Sequence, residues 1–219
     1  MPKLLSSASK AALSQEVVST NLFAKHKNKA LLSTALINVQ DAWGNFHVIR
    51  AVIDSGSESH FISKSCFNKL GLSKFFLPIQ LCGIGKNISK GSHGVRCNIK
   101  PIGKSDPIYS LEFIILNEIS DNLPINSLPV EQFSKFSQLP LADPNFHLSK
   151  PVDILLGADI YGFLITGNKL LSDQDQPVAL ETIFGWIITG RVKTSSVSLS
   201  VNSYFLTSYA SLDQSLQRF

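Results

Sequence analysis

The chain reads as a mainly β domain that folds without disulfides, and three observations predict this. Apolar residues alternate with period two, as in Ala35, Ile37, Val39 and again in Val95, Cys97, Ile99. Short apolar runs are cut at close intervals by Gly, Asn, Asp and Pro, the punctuation of strands joined by turns. Helical signals are few. With 219 residues, 44% of them hydrophobic and only 16% charged, the chain can bury a core without staples and does not have the composition of a disordered segment.

Bulk charge and residue counts exclude several function classes. A net charge of +4 is too weak to predict binding to nucleic acid or to an acidic membrane surface. The three cysteines, Cys66, Cys82 and Cys97, are odd in number and form no C-x-x-C. That pattern suits free thiols in a reducing compartment, so a cytoplasmic location is expected. Ser, Lys and Gln interrupt every apolar run before residue 30, which argues against a signal peptide, and no run reaches bilayer length. His26, His47, His60, His93 and His147 are scattered, with no H-E-x-x-H, so no metal and no cofactor is expected. Gly83-Ile84-Gly85-Lys86 lacks the upstream glycine of a phosphate loop, and no G-x-S-x-G marks a serine nucleophile.

Residues 1–30, rich in Ser, Ala and Lys, read as a linker. Ala35 to Val39 predicts a strand, Asp41-Ala42-Trp43-Gly44-Asn45 a turn, and Phe46 to Ile53 the returning strand of a hairpin. After Asp54-Ser55-Gly56, His60-Phe61-Ile62 predicts a further strand, with His60 a surface or satisfied strand residue. Ser63 suits an N-cap, Cys66, Phe67 and Leu70 the inner face of a short helix, and Gly71 its left-handed end. Strands follow at Pro78 to Leu81, Val95 to Lys100 with Cys97 facing the core, and Leu111 to Ile115. Five of the ten prolines fall between residues 117 and 151, which predicts a long surface loop or insertion without regular structure. Val152 to Leu156 resumes the strands, and 177–190 holds two more apolar runs. Trp43 and Trp186 are expected in the core or an interface. Beyond residue 190 the chain reads as a second linker.

The chemistry centres on Val52-Ile53-Asp54-Ser55-Gly56-Ser57, where an apolar strand runs straight into a carboxylate on a tight turn. Gly56 lets the backbone pass close to that carboxylate and donate its N–H. Two carboxylates sharing one proton activate water without a metal or a nucleophilic side chain. The chain carries one Asp-Ser-Gly, so catalysis of this kind requires two copies. Downstream, Cys82-Gly83-Ile84-Gly85 reads as a hairpin tip, and Ile154-Leu155-Leu156-Gly157-Ala158-Asp159 as an apolar strand ending at a glycine.

In this order the three segments resemble a retropepsin, with the Asp-Ser-Gly turn, a flap, and an apolar strand threaded behind the turn. Residues 31–190 more specifically resemble the aspartic peptidase domain of Bel/Pao-type retrotransposon polyproteins. The resemblance is carried by Leu32-Ser33-Thr34-Ala35, by Ile53 to Ser63, by Ile154 to Asp159 and by Thr182-Ile183-Phe184-Gly185-Trp186-Ile187-Ile188-Thr189-Gly190. Leu212 to Phe219 is similar to the lead-in to a reverse transcriptase. The resemblance implies a closed retropepsin-like β-barrel with one active-site half per chain, a homodimer, and an aspartic endopeptidase that processes a Gag-Pol-like polyprotein. Asp54, Ser55 and Gly56 would be catalytic, with serine where threonine is commoner. Ser57, Glu58, Gly83, Ile84, Gly85, Gly157 and Ala158 would contact the peptide substrate. Glu58 stands where many retroviral enzymes have an Asp that contacts substrate backbone. A different class of function is a catalytically silent module that keeps the fold for dimerisation or peptide binding.

Overall fold

A computed structural model describes residues 28–83, 88–193 and 206–210. In chain order the elements are β1 (Asn28–Leu31), β2 (Thr34–Gln40), β3 (Phe46–Ile53), β4 (His60–Ser63), α1 (Lys64–Leu70), β5 (Lys74–Gly83), β6 (Ile88–Lys100), β7 (Tyr109–Leu116), a 3-10 helix (Val130–Phe136), β8 (Ile154–Leu156), α2 (Ala158–Leu164), β9 (Ile165–Leu170), β10 (Pro177–Thr182), β11 (Gly185–Lys193) and β12 (Leu206–Ala210). The expected mainly β class holds.

Six strands close into a barrel in the order β6-β2-β3-β8-β4-β7, because β7 pairs back onto β6. Closure leaves those six strands without a free edge. β5 extends this sheet from β6, and β12 from β5. A second, four-stranded sheet runs β1-β11-β10-β9.

The period-two strands behave as their sequence dictates. Ala35, Ile37 and Val39 of β2 face the barrel interior, as do Val95, Cys97 and Ile99 of β6. β3 changes character along its length. Its first half has an exposed Val48, whereas Ile49 to Ile53 are buried on both faces. Ala51 and Ile53 enter the barrel core, while Val52 joins a separate cluster with Phe61, Leu81, Ile114 and Leu155. Burial on both faces suits the parallel pairing of β3 with β8 and explains why both read as unbroken apolar runs.

The short helix forms where its caps are. The Ser63 hydroxyl accepts the Cys66 N–H at 3.1 Å, and Gly71 sits in the left-handed region at φ 62. Cys66 and Leu70 turn inward with Phe67 half-buried against them. Burial pushes the Cys66 and Cys97 thiols up to about 12, so both remain protonated and inert at neutral pH.

Several expectations need correction. The Pro-rich 117–151 segment is not merely a surface loop. It holds the 3-10 helix and buries Leu128, Phe133, Phe136 and Phe146 in a cluster with Leu31, Ile188 and Val192. Its prolines break strands without preventing apolar burial. It also joins the two sheets: Leu36 N–H donates to the Ala142 carbonyl, and Ala142 N–H donates to that of Trp186, both at 2.8 Å. The linker expected over 1–30 ends early, since β1 pairs with β11 from Asn28; residues 1–27 lie outside the described residues. The linker expected over 191–219 is interrupted, because β11 continues to Lys193 and β12 pairs with β5. β5 and β6 extend well beyond the predicted spans, and α2 and β9 were not expected. Trp43 is 73% exposed and lies across Gly71, where a Cβ would come within 2.5 Å of its ring. Trp186 is half-buried against the insertion.

Candidate active site

The Asp54 turn is set by an unusual strand order. β3 and β4, which the turn connects, are not neighbours; β8 lies between them, parallel to β3 and antiparallel to β4. The turn therefore straddles the end of a strand that arrives from a hundred residues later in the chain. That strand holds it from below. Asp54 N–H donates to the Leu156 carbonyl at 2.9 Å, and Ala158 N–H donates to the Ser57 carbonyl at 2.7 Å.

The Asp54 carboxylate is oriented within its own loop. Gly56 N–H donates to Oδ1 at 2.9 Å and the Ser57 hydroxyl donates to Oδ2 at 3.1 Å. A Cβ on Gly56 would approach Oδ1 at 3.2 Å, so the small residue permits this close passage. The carboxylate is half-buried and reaches the surface, with Ser55 exposed beside it at the tip of the turn. A carboxylate fixed by donors on both oxygens can hold a water or a second carboxylate in a defined direction.

Gly157 is the tightest point of the site. A Cβ there would lie 2.6 Å from the Ser59 carbonyl oxygen and 2.7 Å from that of Ser57. Its φ of -87 is ordinary, so space alone demands glycine. Its N–H donates to Nδ1 of His60 at 2.9 Å. The His60 ring is buried beside Phe113, with ring centroids 5.4 Å apart. Nε2 lies 2.8 Å from Oδ1 of Asp159, a close approach whose angle falls short of a directed hydrogen bond. Burial holds the His60 pKa below the ordinary imidazole value, against the upward pull of the Asp159 carboxylate.

The fold thus brings Asp54, Ser55, Gly56, Ser57, Gly157 and Ala158 together. Two of the residues expected to contact substrate have another place. Ser57 is wholly buried and supports Asp54, and Gly157 is buried under the Ser57 and Ser59 carbonyls. Glu58 and Ala158 are exposed. Gly83 ends β5, where it pairs with Leu206 of β12; Ile84 and Gly85 lie outside the described residues. β5 and β6 pair antiparallel up to Cys82 and Ile88, and the tip between them, which the flap expectation concerns, lies outside the described residues. His60 was read as a surface or satisfied strand residue; it is buried, with Nδ1 paired to the Gly157 N–H and Nε2 without a directed hydrogen bond, and nothing in the sequence marks Gly157 as its partner. Only a three-dimensional pairing of two distant loops reveals that contact.

Among the described residues, no group of three or more His, Cys, Asp or Glu is placed to hold a metal ion, and no helix is long and apolar enough to cross a membrane. A cleft of about 570 Å³, lined by Ser63, Ser65, Glu118, Asp121 and Asp153 among others, includes none of the Asp54 turn. The Asp153 carboxylate in it is engaged by the Ser63 hydroxyl at 2.6 Å. No protein-family model matches the chain, and no curated protein matches it either.

Proposed function

We propose that the chain supplies one half of an aspartic endopeptidase, of the retropepsin-like kind resembled by its Asp-Ser-Gly, Ile154 to Asp159 and Phe-Gly-Trp segments. The observation that carries this reading is β8 threaded between the two strands that flank Asp54, with the carboxylate oriented by Gly56 and Ser57. In a homodimer the two Asp54 carboxylates meet on the two-fold axis and share one proton. One takes a proton from water while the other, protonated, polarises the scissile carbonyl. The attacking oxygen adds to the carbonyl carbon and the amide nitrogen leaves with a proton. Ser55, exposed at the tip, would hydrogen-bond across the axis of that dimer. The substrate class is an extended peptide within a polyprotein, such as a Gag-Pol-like precursor.

The test is cleavage of a broad peptide library at about pH 5 by the wild type and by Asp54→Asn, with and without pepstatin. The expected result is cleavage that pepstatin inhibits and that Asp54→Asn abolishes without unfolding the chain. Activity per chain should rise with concentration, because the site assembles by mass action. Cleavage retained in Asp54→Asn refutes the reading. Absence of cleavage by a folded dimer replaces it with the silent binding module.

A further inference from the structure

We propose that His60 is a protonation-sensitive clamp that fixes Gly157 beneath the Asp54 turn in its singly protonated form and releases it when the ring takes a second proton. The clamp stands on geometry alone; only its effect on catalysis rests on the peptidase reading.

Nδ1 accepts the Gly157 N–H, so this nitrogen must carry its lone pair. The single ring proton is then on Nε2, directed to the side where Asp159 lies 2.8 Å away. An imidazolium has donors on both nitrogens and cannot accept. A proton on Nδ1 would face the Gly157 N–H across a buried contact, and one of the two must move. Of the elements packed around the ring, α2 presents Asp159 and β7 presents the uncharged Phe113. The turn leading into β4 carries Asp54 and Glu58, and the end of β8 offers the Gly157 N–H.

Movement of Gly157 cannot stay local. Its Cα is wedged under the Ser57 and Ser59 carbonyls. The next residue, Ala158, holds Ser57, and Ser57 holds the Asp54 carboxylate. His60 is therefore a positioning residue acting on Asp54 through Gly157, Ala158 and Ser57. The sign follows from the direction of its shift. A buried imidazole with a lowered pKa contributes stability that is full above the unfolded value of about 6.5 and is lost as pH falls through the lower folded value.

Two variants separate the clamp from simple packing. His60→Asn keeps an acceptor, its Oδ1, near the position of Nδ1 but cannot be protonated; His60→Ala removes the acceptor. The first readout needs no catalysis: the ring ¹⁵N shifts of His60 and the amide resonance of Gly157, followed in the intact chain from pH 8 to pH 4. The expected result is a proton on Nε2 at neutral pH and a Gly157 amide that moves with the ring titration in wild type but not in His60→Asn. A neutral ring protonated on Nδ1, or a Gly157 amide indifferent to the ring, overturns the proposal. The second readout is peptide cleavage. His60→Ala should lower kcat on the order of 10²-fold, the effect of an ångström-scale misplacement, with a smaller change in KM. His60→Asn should restore kcat and extend activity to lower pH. An acid limb unchanged in His60→Asn overturns the catalytic part. A wild type that titrates as described but cleaves nothing refutes the peptidase and leaves the clamp standing.

Discussion

Nε of Arg50 donates to Oδ2 of Asp143 at 2.7 Å, and both side chains are almost fully buried, at 8% and 1% exposure. Arg50 lies on β3 four residues before Asp54, whereas Asp143 belongs to the Pro-rich insertion. The pair joins a saturated network. Arg50 also donates to the Leu123 carbonyl at 2.7 Å, to the Lys150 carbonyl at 2.9 Å and to the Thr34 hydroxyl at 3.2 Å. Thr34 in turn donates to Oδ2 of Asp143 at 2.7 Å. The insertion is thus pinned at three places to the strands that lead into the Asp54 turn.

Removing one partner strands a buried charge, which costs more than the intact pair contributes. Arg50→Leu is expected to destabilise the chain by about 3–5 kcal/mol, read from the shift in urea midpoint at constant slope. The double variant Arg50→Leu with Asp143→Leu should recover part of that loss. Equal losses in single and double variants would show that the carboxylate is not left uncompensated.

These residues show which parts of the fold were legible. The β2–β3 hairpin could be read because Ala35, Ile37 and Val39 bury one face and leave the other outside, a pattern that is local in sequence. The Ser63 and Gly71 caps were legible for the same reason. The role of 117–151 was not, because proline density reports the absence of strands and says nothing of where Phe133 or Phe146 goes. Arg50 interrupts an apolar strand, and its partners in the insertion stand 73 to 100 residues away. Asp54 and Gly56 stood out as a motif, but the burial of Ser57 depends on β8 arriving from outside the local sequence. α2 escaped notice because Ala158 to Leu164 is a single short run containing Gly162, with no capping side chain at Gly157.

Two glycines only five residues apart should respond in opposite ways. A Cβ on Gly157 collides with two backbone carbonyls that cannot rotate aside, whereas one on Gly162 within α2 meets nothing within 4 Å. Gly157→Ala is therefore expected to cost about 1–3 kcal/mol, as overpacking does, and to abolish peptide cleavage by displacing the Ser57 loop. Gly162→Ala should stabilise by up to about 1 kcal/mol through helix propensity and leave cleavage unchanged. Urea midpoints and cleavage rates of the two variants check both signs. A tolerated Gly157→Ala would mean that the turn is not wedged.

The β2–β3 hairpin carries a second carboxylate with a structural task, and its pH dependence is separable from that of the site. Burial opposes ionisation of Asp41, but hydrogen bonds from the His47 ring and from the Asn45 and Trp43 N–H groups overcome it and hold the carboxyl down at about 2. Oδ1 accepts from Asn45 N–H at 2.8 Å and from Trp43 N–H at 2.9 Å, and Oδ2 lies 2.7 Å from the His47 ring nitrogen. A carboxyl with a depressed folded value contributes stability that is complete above the unfolded value of about 3.9 and disappears as pH falls through the folded one. Wild type should therefore exceed Asp41→Asn in melting temperature by a constant margin from pH 7 down to about pH 5. That margin should shrink between about pH 4 and pH 2. Cleavage assays near pH 5 lie above this window, so the proposed activity can be measured there without loosening the hairpin that leads into Asp54. A margin that narrows already between pH 7 and pH 5 would show that these hydrogen bonds do not hold the Asp41 carboxyl down, because groups common to both chains, His60 among them, cancel from the difference.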